Sequence, residues 1–466
     1  MTFRQENSTP MRVRTPRMAS FPAADGAFRS VGSESASDSA AEEIVPGAEL
    51  NDVVVSSGRL SDGAAFVSGA GANSSSVAAS CQIYDMALQM LPQLLSAALR
   101  KTGEKRTACI LAATSGDTGK AAMAGFADVP QTCIQVYYPK NGVSPVQERQ
   151  MVTQEGENVD VRAVIGNFDD AQAGVKRIFS DETVRAELDK RGYFLSSANS
   201  INWGRILPQV VYYISAYCDL VRDGAITMGD KVNFCVPTGN FGDILAAYYA
   251  KRMGLPVNKL ICASNSNNVL TDFLRTGIYD RNRPFHTTIS PSMDILISSN
   301  LERLLFDLSG ENDAEIRIYM DALGSAGRYQ VSDNIKAKLD DAFWGGCCSE
   351  EETEETIRRY WQDHNYLIDP HTAVAAEVLA QYRVASGDET PAVVVSTASP
   401  YKFCGSVLTA IGETPCGDGL ELLDQLHAVS GVPVPCRLAE LKGKSRRFDK
   451  TVEKQAMEQS VLEFLQ

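Results

Sequence analysis

The sequence predicts an α/β protein of two lobes, each built on a parallel sheet with flanking helices. Three observations predict it. From Asp85 onward, short apolar runs of strand length alternate with stretches of helical periodicity, the pattern of strands joined by crossover helices. Several of the runs end in polar, glycine-bearing turns that feed directly into a helix, where open parallel sheets bind ligands. The chain has 466 residues, enough for two lobes with ample volume for a core.

Taken in order, residues 1–83 form an atypical first segment. Stretches such as VGSESASDSAAEE and SGAGANSSS hold no sustained period of 3.6 or 2, and a composition of this kind buries too little apolar surface to offset its ordering entropy. The segment reads as unstructured apart from a short strand at Val53 to Val55. Arg4, Arg12, Arg14 and Arg17 among Ser and Thr faintly resemble a transit peptide, with a disordered tail the preferred reading. The character changes at Asp85: Ala87, Leu91, Leu94, Leu95 and Ala98 recur at helical spacing, with Pro92 expected to bend the element.

Residues 84–216 make the smaller lobe. TACILAAT (Thr107 to Thr114) is a strand whose turn, SGDTG, feeds the helical KAAMAGFADV; CIQVYYP is a second strand and SPVQERQMVTQ a second helix. NVDVRAVI with DDAQAGVKRIF continues the pattern, and the helical RILPQVVYYISAYCDLV leads to a boundary near Tyr217 to Asp230. Residues 217–466 make the larger lobe: KVNFCVPTGNFG with DILAAYYAKRMG, KLICASN with VLTDFLRTG, and the strand AVVVSTASP. The acidic SEEETEET (Ser349 to Thr356) reads as a solvated helix start or loop, and no internal repeat is evident.

Charge and cysteine content narrow the function classes. With 44 Lys and Arg against 58 Asp and Glu, the net charge is −14, so no nucleic-acid surface is expected and an anionic ligand needs a locally positive site. No apolar run approaches the ~18 residues of a membrane span. The 11 cysteines are scattered, with a vicinal pair at Cys347 and Cys348 and no CxxC, and the four histidines are widely spaced. Neither a disulfide framework nor a metal site is signalled, and a reducing, cytoplasmic setting fits best.

The loops carry the chemistry. PTGNFGD (Pro237 to Asp243) lies between strand and helix, where Gly239, Asn240, Phe241 and Gly242 can aim backbone N–H groups at a phosphate over a helix N-terminus; two glycines at such a turn also serve geometry alone. TSGDTG (Thr114 to Gly119) shares that topology, but Asp117 would repel an anion unless it bonds something protonated, so a structural turn is the favoured reading. In SANSINWGRILPQ, capping accounts for one or two of Asn199, Ser200 and Asn202, and the set with Arg205 also fits a carboxylate or phosphate clamp. Ser396 or Thr397 could bond a heterocyclic nitrogen or simply end a strand, and His371 reads as structural rather than catalytic.

Together, ATSGDTGKAA, YYPKNGVSPVQERQM, SANSINWGRI, VPTGNFGD, DPHTAVA and STASPYKF resemble threonine synthase of the longer form, a pyridoxal-phosphate enzyme of fold type II. The resemblance runs from about Asp85 to the C-terminus. It implies conversion of O-phosphohomoserine and water to threonine and phosphate, with pyridoxal 5'-phosphate as cofactor. By that likeness Gly239, Asn240, Phe241, Gly242 and Asp243 hold the cofactor phosphate, Asp117 lies near its phenolic oxygen, and Thr397 or Ser396 faces its pyridine nitrogen. Ser115, Thr118, Asn199, Ser200 and Arg205 would bind substrate. A monomer or homodimer is implied, without membrane or nucleic-acid partners.

One departure from the family stands out. There, a segment of the type HGPTxAFK precedes the helix, and its Lys forms the Schiff base with the cofactor. Here Ala78 to Tyr84 occupy those places, Tyr84 stands where the Lys is expected, and no lysine occurs before Lys101. A phenol can neither hold the cofactor covalently nor exchange with an amine, and its pKa of ~10 suits proton transfer poorly. Two explanations follow: an N-terminal part misrepresented by a frameshift or gene-model error, which the abrupt seam and intact later loops favour, or a homologue that no longer catalyses. The alternatives are a phospho-lyase on another amino-alcohol phosphate and a noncatalytic binding protein.

Overall fold

A computed structural model describes residues 56–59, 64–68, 83–114, 116–417 and 419–465. Two sheets organise them. The five-stranded sheet has β3 (Thr107–Ala113), β4 (Thr132–Pro139), β5 (Val159–Ile165), β6 (Tyr193–Ser196) and β13 (Thr451–Glu453) in the order β13-β5-β4-β3-β6, all parallel. The six-stranded sheet has β1 (Ser56–Arg59), β2 (Ala64–Ser68), β7 (Val232–Pro237), β8 (Val257–Ser264), β11 (Phe343–Cys347) and β12 (Ala392–Ser396) in the order β1-β2-β12-β7-β8-β11. Its pairs are parallel except β1 with β2. A small antiparallel pair, β9 (Ile278–Asp280) with β10 (Arg328–Gln330), lies apart.

The central strands β3, β4 and β7 are covered on both faces, which is why they read as predominantly apolar runs. In β7, Phe234 and Val236 enter one core while Cys235 enters the other; in β12, Val393 and Val395 face one and Ala392 and Val394 the other. β3 divides the same way, with Ala108, Ile110 and Ala112 opposite Cys109 and Leu111. That division is the period-2 alternation of a strand buried on both sides.

The helices follow their sequence signals. Asn202 caps Trp203–Arg222 by accepting from the Gly204 N–H. Ser349 and Glu352 form a reciprocal capping box at Glu350–His364, so SEEETEET is a helix start. The helix Ile83–Thr102 carries Pro92 within its span, a position where the missing N–H removes one ladder bond. Among the described residues no helix is long and apolar enough to cross a membrane.

Two expectations about segment boundaries change. Val53 to Val55 lies outside the described residues, but 56–59 and 64–68 are strands, and β2 joins β12 in register from Ala64↔Ala392 to Ser68↔Ser396. The segment before residue 84 therefore contributes backbone to the second sheet, through ladder bonds that need no side-chain periodicity. The chain end also returns to the first sheet: β13 pairs with β5, and Val452, Met457, Val461 and Leu465 share a core with Cys109, Leu111 and Ile178. The apolar face of Met457–Phe464 is buried against the helix Phe168–Ser180.

Candidate active site

Loops at the C-terminal ends of β3, β6 and β7 open into one cavity of about 550 Å³. Its lining includes Asp117, Thr118, Asn199, Ser200, Arg205 and the whole run Pro237 to Asp243. Ten of the anticipated residues, in three separate stretches, thus line one cavity because parallel strands present their C-terminal ends on the same side.

The β3 loop is a tight backbone structure. Thr114 Oγ1 accepts from the N–H groups of Gly116 and Gly119, both at 2.9 Å. Gly116 has φ 131, and a Cβ there would come within 2.4 Å of the Gln147 side chain, so the turn excludes any other residue. It delivers Asp117 to the first turn of the helix Asp117–Phe126. Asp117 Oδ1 accepts from Gln147 Nε2 and Lys402 Nζ, each at 3.0 Å, and Oδ2 accepts from Ser292 Oγ at 3.5 Å. Burial alone would push this carboxyl up; Lys402, with Gln147 and His371, outweighs burial and holds it down to about 2. Ser115 lies outside the described residues.

In the β6 loop, Asn199 Oδ1 accepts from the Ile201 N–H at 3.0 Å, and Ser200 Oγ accepts from Asn300 Nδ2 at 3.3 Å. Asn202 is spent on the helix cap and on the Ser197 carbonyl. Arg205 is 3% exposed and donates from Nη1 to the Ala198 carbonyl at 3.1 Å. A positive group therefore stands beneath the loop at the cavity wall.

The β7 loop is pinned by its carbonyls. Ser298 Oγ donates to Gly239 O at 2.9 Å, and the Asn300 N–H and Nδ2 donate to Asn240 O at 3.1 and 3.0 Å. Phe241 takes a left-handed conformation, φ 62, and buries its ring in the core against Phe343. The helix Gly242–Arg252 then begins, and the N–H groups of its first turn are those a helix cannot bond internally. Gly239 packs so closely that a Cβ would meet the Ser292 carbonyl at 2.5 Å. Pinned carbonyls, first-turn N–H groups and a glycine too close for a side chain are the features of an anion cradle. Asp243 faces inward instead: Tyr213 Oη donates to its Oδ1 at 2.8 Å, and burial, opposed by Tyr213 and Arg205, raises its carboxyl to about 6.

Two anticipated positions fall elsewhere. Ser396 and Thr397 do not line this cavity; Ser396 Oγ lies 3.0 Å from Thr372 Oγ1, and Thr397 is buried. The end of β12 is engaged by the helix Pro370–Ser386 rather than turned toward the cavity. Tyr84 belongs to the helix Ile83–Thr102, but its side chain is outside the description.

The structure adds Lys402, Ser292, Gln147 and Asn300, which sequence reasoning did not single out. Lys402 stood within the noted STASPYKF stretch, yet its partner Asp117 lies 285 positions away, a pairing no local pattern signals. His371 is buried and fully engaged: Nδ1 lies 3.0 Å from Asp369 Oδ1, and Nε2 accepts from the Ser292 N–H at 3.3 Å. That arrangement assigns the proton to Nδ1 and suits a structural role. Among the described residues no group of His, Cys, Asp and Glu could hold a metal ion.

Comparison with known proteins gives a consistent picture. The family model for the C-terminal part of threonine synthase matches residues 372–461. The chain is 42% identical over 335 residues to human "Threonine synthase-like 1", a match that spans 70% of this chain and 44% of that protein. It thus spans less than half the length of such relatives. It is also 42% identical over 332 residues to threonine synthase of Pseudomonas aeruginosa, covering 71% of this chain and 68% of that one. Among solved structures, pyridoxal-phosphate-bound threonine synthase from Brucella melitensis superposes with a TM-score of 0.75 at 35% identity, over 88% of this chain and 81% of that chain. Yeast threonine synthase superposes with a TM-score of 0.71 at 34% identity, over 82% and 76%.

Proposed function

The chain belongs to the threonine synthase family, and on that premise we propose that its cavity is a pyridoxal 5'-phosphate site beside a site for a phosphorylated amino acid such as O-phosphohomoserine. The observation that carries the reading is the cradle at Gly239 to Gly242, with fixed carbonyls and first-turn N–H groups, opening into the same cavity as Asn199, Ser200 and Arg205. The residues present fit the phosphate of such a cofactor. They do not include the amine, since Tyr84 occupies the position of the family's lysine.

Within this reading the backbone N–H groups of the β7 loop bind the cofactor phosphate. Asp117, ionised and fixed by Gln147 and Lys402, orients the ring from the β3 loop. Thr118, Asn199, Ser200 and Arg205 gather the phosphate of the substrate, and Arg205 supplies the local positive charge that a chain of net charge −14 otherwise lacks; Ser115 joins them by its place in TSGDTG. Bound there, the cofactor supplies an electron sink for charge developing on the amino acid. In the intact family the outcome is threonine and phosphate. Here Tyr84 offers no amine to hold the cofactor covalently or to carry protons, so the chain as given binds these ligands and does not turn them over. A second reading, a phospho-lyase on another amino-alcohol phosphate, shares the site and is separated from the first by steady-state assays of both substrates.

The test is treatment of the full chain and pyridoxal 5'-phosphate with borohydride, followed by peptide mapping. Saturable binding with no lysine adduct is expected. A reduced adduct mapped to a lysine, or threonine formed from O-phosphohomoserine, would overturn the noncovalent reading; absence of binding would overturn the site itself.

A further inference from the structure

An acidic residue in the wall of an anion site needs a reason to be there. Asp117 lines the cavity that the β7 loop shares, and one residue, Ser292, links them: its hydroxyl donates to Asp117, and its carbonyl is the atom that a Cβ on Gly239 would strike. An unbalanced carboxylate at that distance would oppose an arriving phosphate. Lys402 sits on the turn Pro400–Lys402 that follows β12, Asp117 opens the helix that follows β3 of the other sheet, and Lys402 Nζ meets Asp117 Oδ1 at 3.0 Å. Its side chain is 1% exposed, and it is not among the residues lining the cavity. Asp117 therefore stands between Lys402 and any ligand.

Resting on the proposed reading of the cavity, we infer that Lys402 is a positioning residue whose charge acts through Asp117: it cancels the carboxylate and so makes the cavity competent for anions, without touching the ligand. Three features of the geometry support this. The pair is buried on both sides, where a charge is seldom kept without a partner. Gln147 takes the same carboxylate oxygen, fixing Asp117 rather than leaving it free to rotate toward the cavity. The nearest group on the other side, His371, is committed through its two ring nitrogens to Asp369 and to the Ser292 N–H, so it does not replace the charge of Lys402.

The inference separates two roles for a buried lysine. A lysine that contacts phosphate would be missed whatever stands at position 117; a lysine that only balances Asp117 becomes dispensable once the carboxylate is removed. The experiment titrates the full chain with inorganic phosphate at neutral pH, with circular dichroism confirming the fold of each variant. Lys402→Met is expected to weaken phosphate binding about 30-fold, the effect of one uncompensated charge nearby in a partly screened site. The double variant Asp117→Asn with Lys402→Met is expected to return to within about threefold of wild type. Unchanged binding in Lys402→Met, or a folded double variant that stays as weak as the single, would overturn the inference. Should Lys402→Met not fold, Asp117→Asn alone decides: it is expected to bind phosphate at least as tightly as wild type, and binding about tenfold weaker would overturn the inference. A wild-type chain that binds no phosphate would instead overturn the reading of the cavity, and the inference with it.

Discussion

Replacing Gly239 by alanine places a methyl carbon 2.5 Å from the Ser292 carbonyl oxygen and 3.4 Å from Met293 Cα. Both contacts are backbone, so neither can be relieved by rotating a side chain. Ordinary contact between such atoms needs roughly 0.8 Å more, and forcing that much volume into a packed region costs about 1–3 kcal/mol. The loop has little freedom to absorb the shift, since its carbonyls are held by Ser298 and Asn300. The strain therefore falls on the N–H groups that form the cradle, and a displacement of about 1 Å at a positioned site is worth about 100-fold. Equilibrium dialysis of the full chain against pyridoxal 5'-phosphate reads the affinity, and a thermal melt reads the stability. Gly324→Ala is the control: it lies within the helix Asp313–Ser325, and its Cβ meets nothing within 4 Å, so affinity should not change and stability should rise by up to about 1 kcal/mol. A Gly239→Ala chain that binds the cofactor as wild type does would refute the close-approach argument for the cradle.

Asp243 has its carboxyl raised to about 6 by burial, so the folded state holds a proton that the unfolded chain has already lost. Stability from this group is greatest below about pH 4, falls through pH 6, and is lower by about 3 kcal/mol above it; denaturant melts of Asp243→Asn should lack that decline. Asp117 behaves oppositely. Held down to about 2, it contributes about 2 kcal/mol above pH 4 that is lost as pH falls toward 2, and Asp117→Asn should flatten the acid limb of the melt. Met457 is completely buried in the core of the first sheet, so Met457→Ala should cost about 2–5 kcal/mol in urea unfolding; a cost under about 1 kcal/mol would contradict the return of the chain end to that sheet.

The elements legible in the sequence are those whose burial is complete. β3, β4 and β7 are covered on both faces, and their predominantly apolar runs announce it. β6 is four half-buried residues, β11 carries two glycines, and β13 is three residues long. Such strands are fixed by ladder partners already in place, a condition no local pattern records. β2 is hidden for the same reason, because Ala64–Ser68 is set among small residues and gains its place from β12.

Among the site residues, the glycine loops are legible because their conformations restrict the residue type: Gly116 and Gly239 each exclude a Cβ for a nameable reason. Asp117 was the puzzling member, an anion in an anion site. Its pairing with Lys402 joins the helix start after β3 to the turn after β12 of the other sheet, information carried by packing and not by any stretch of chain. Ser396 shows the converse: a hydroxyl at a strand end satisfies a local pattern, while Thr372 of the neighbouring helix Pro370–Ser386 engages it.

The most direct measurement is a crystal structure of the full chain grown with pyridoxal 5'-phosphate. The account predicts the cofactor phosphate against the N–H groups of Gly239 to Gly242, with Asp117 still paired to Lys402 and no covalent bond to a lysine. A cofactor bound elsewhere, or continuous density from its aldehyde carbon to a lysine nitrogen, would contradict it.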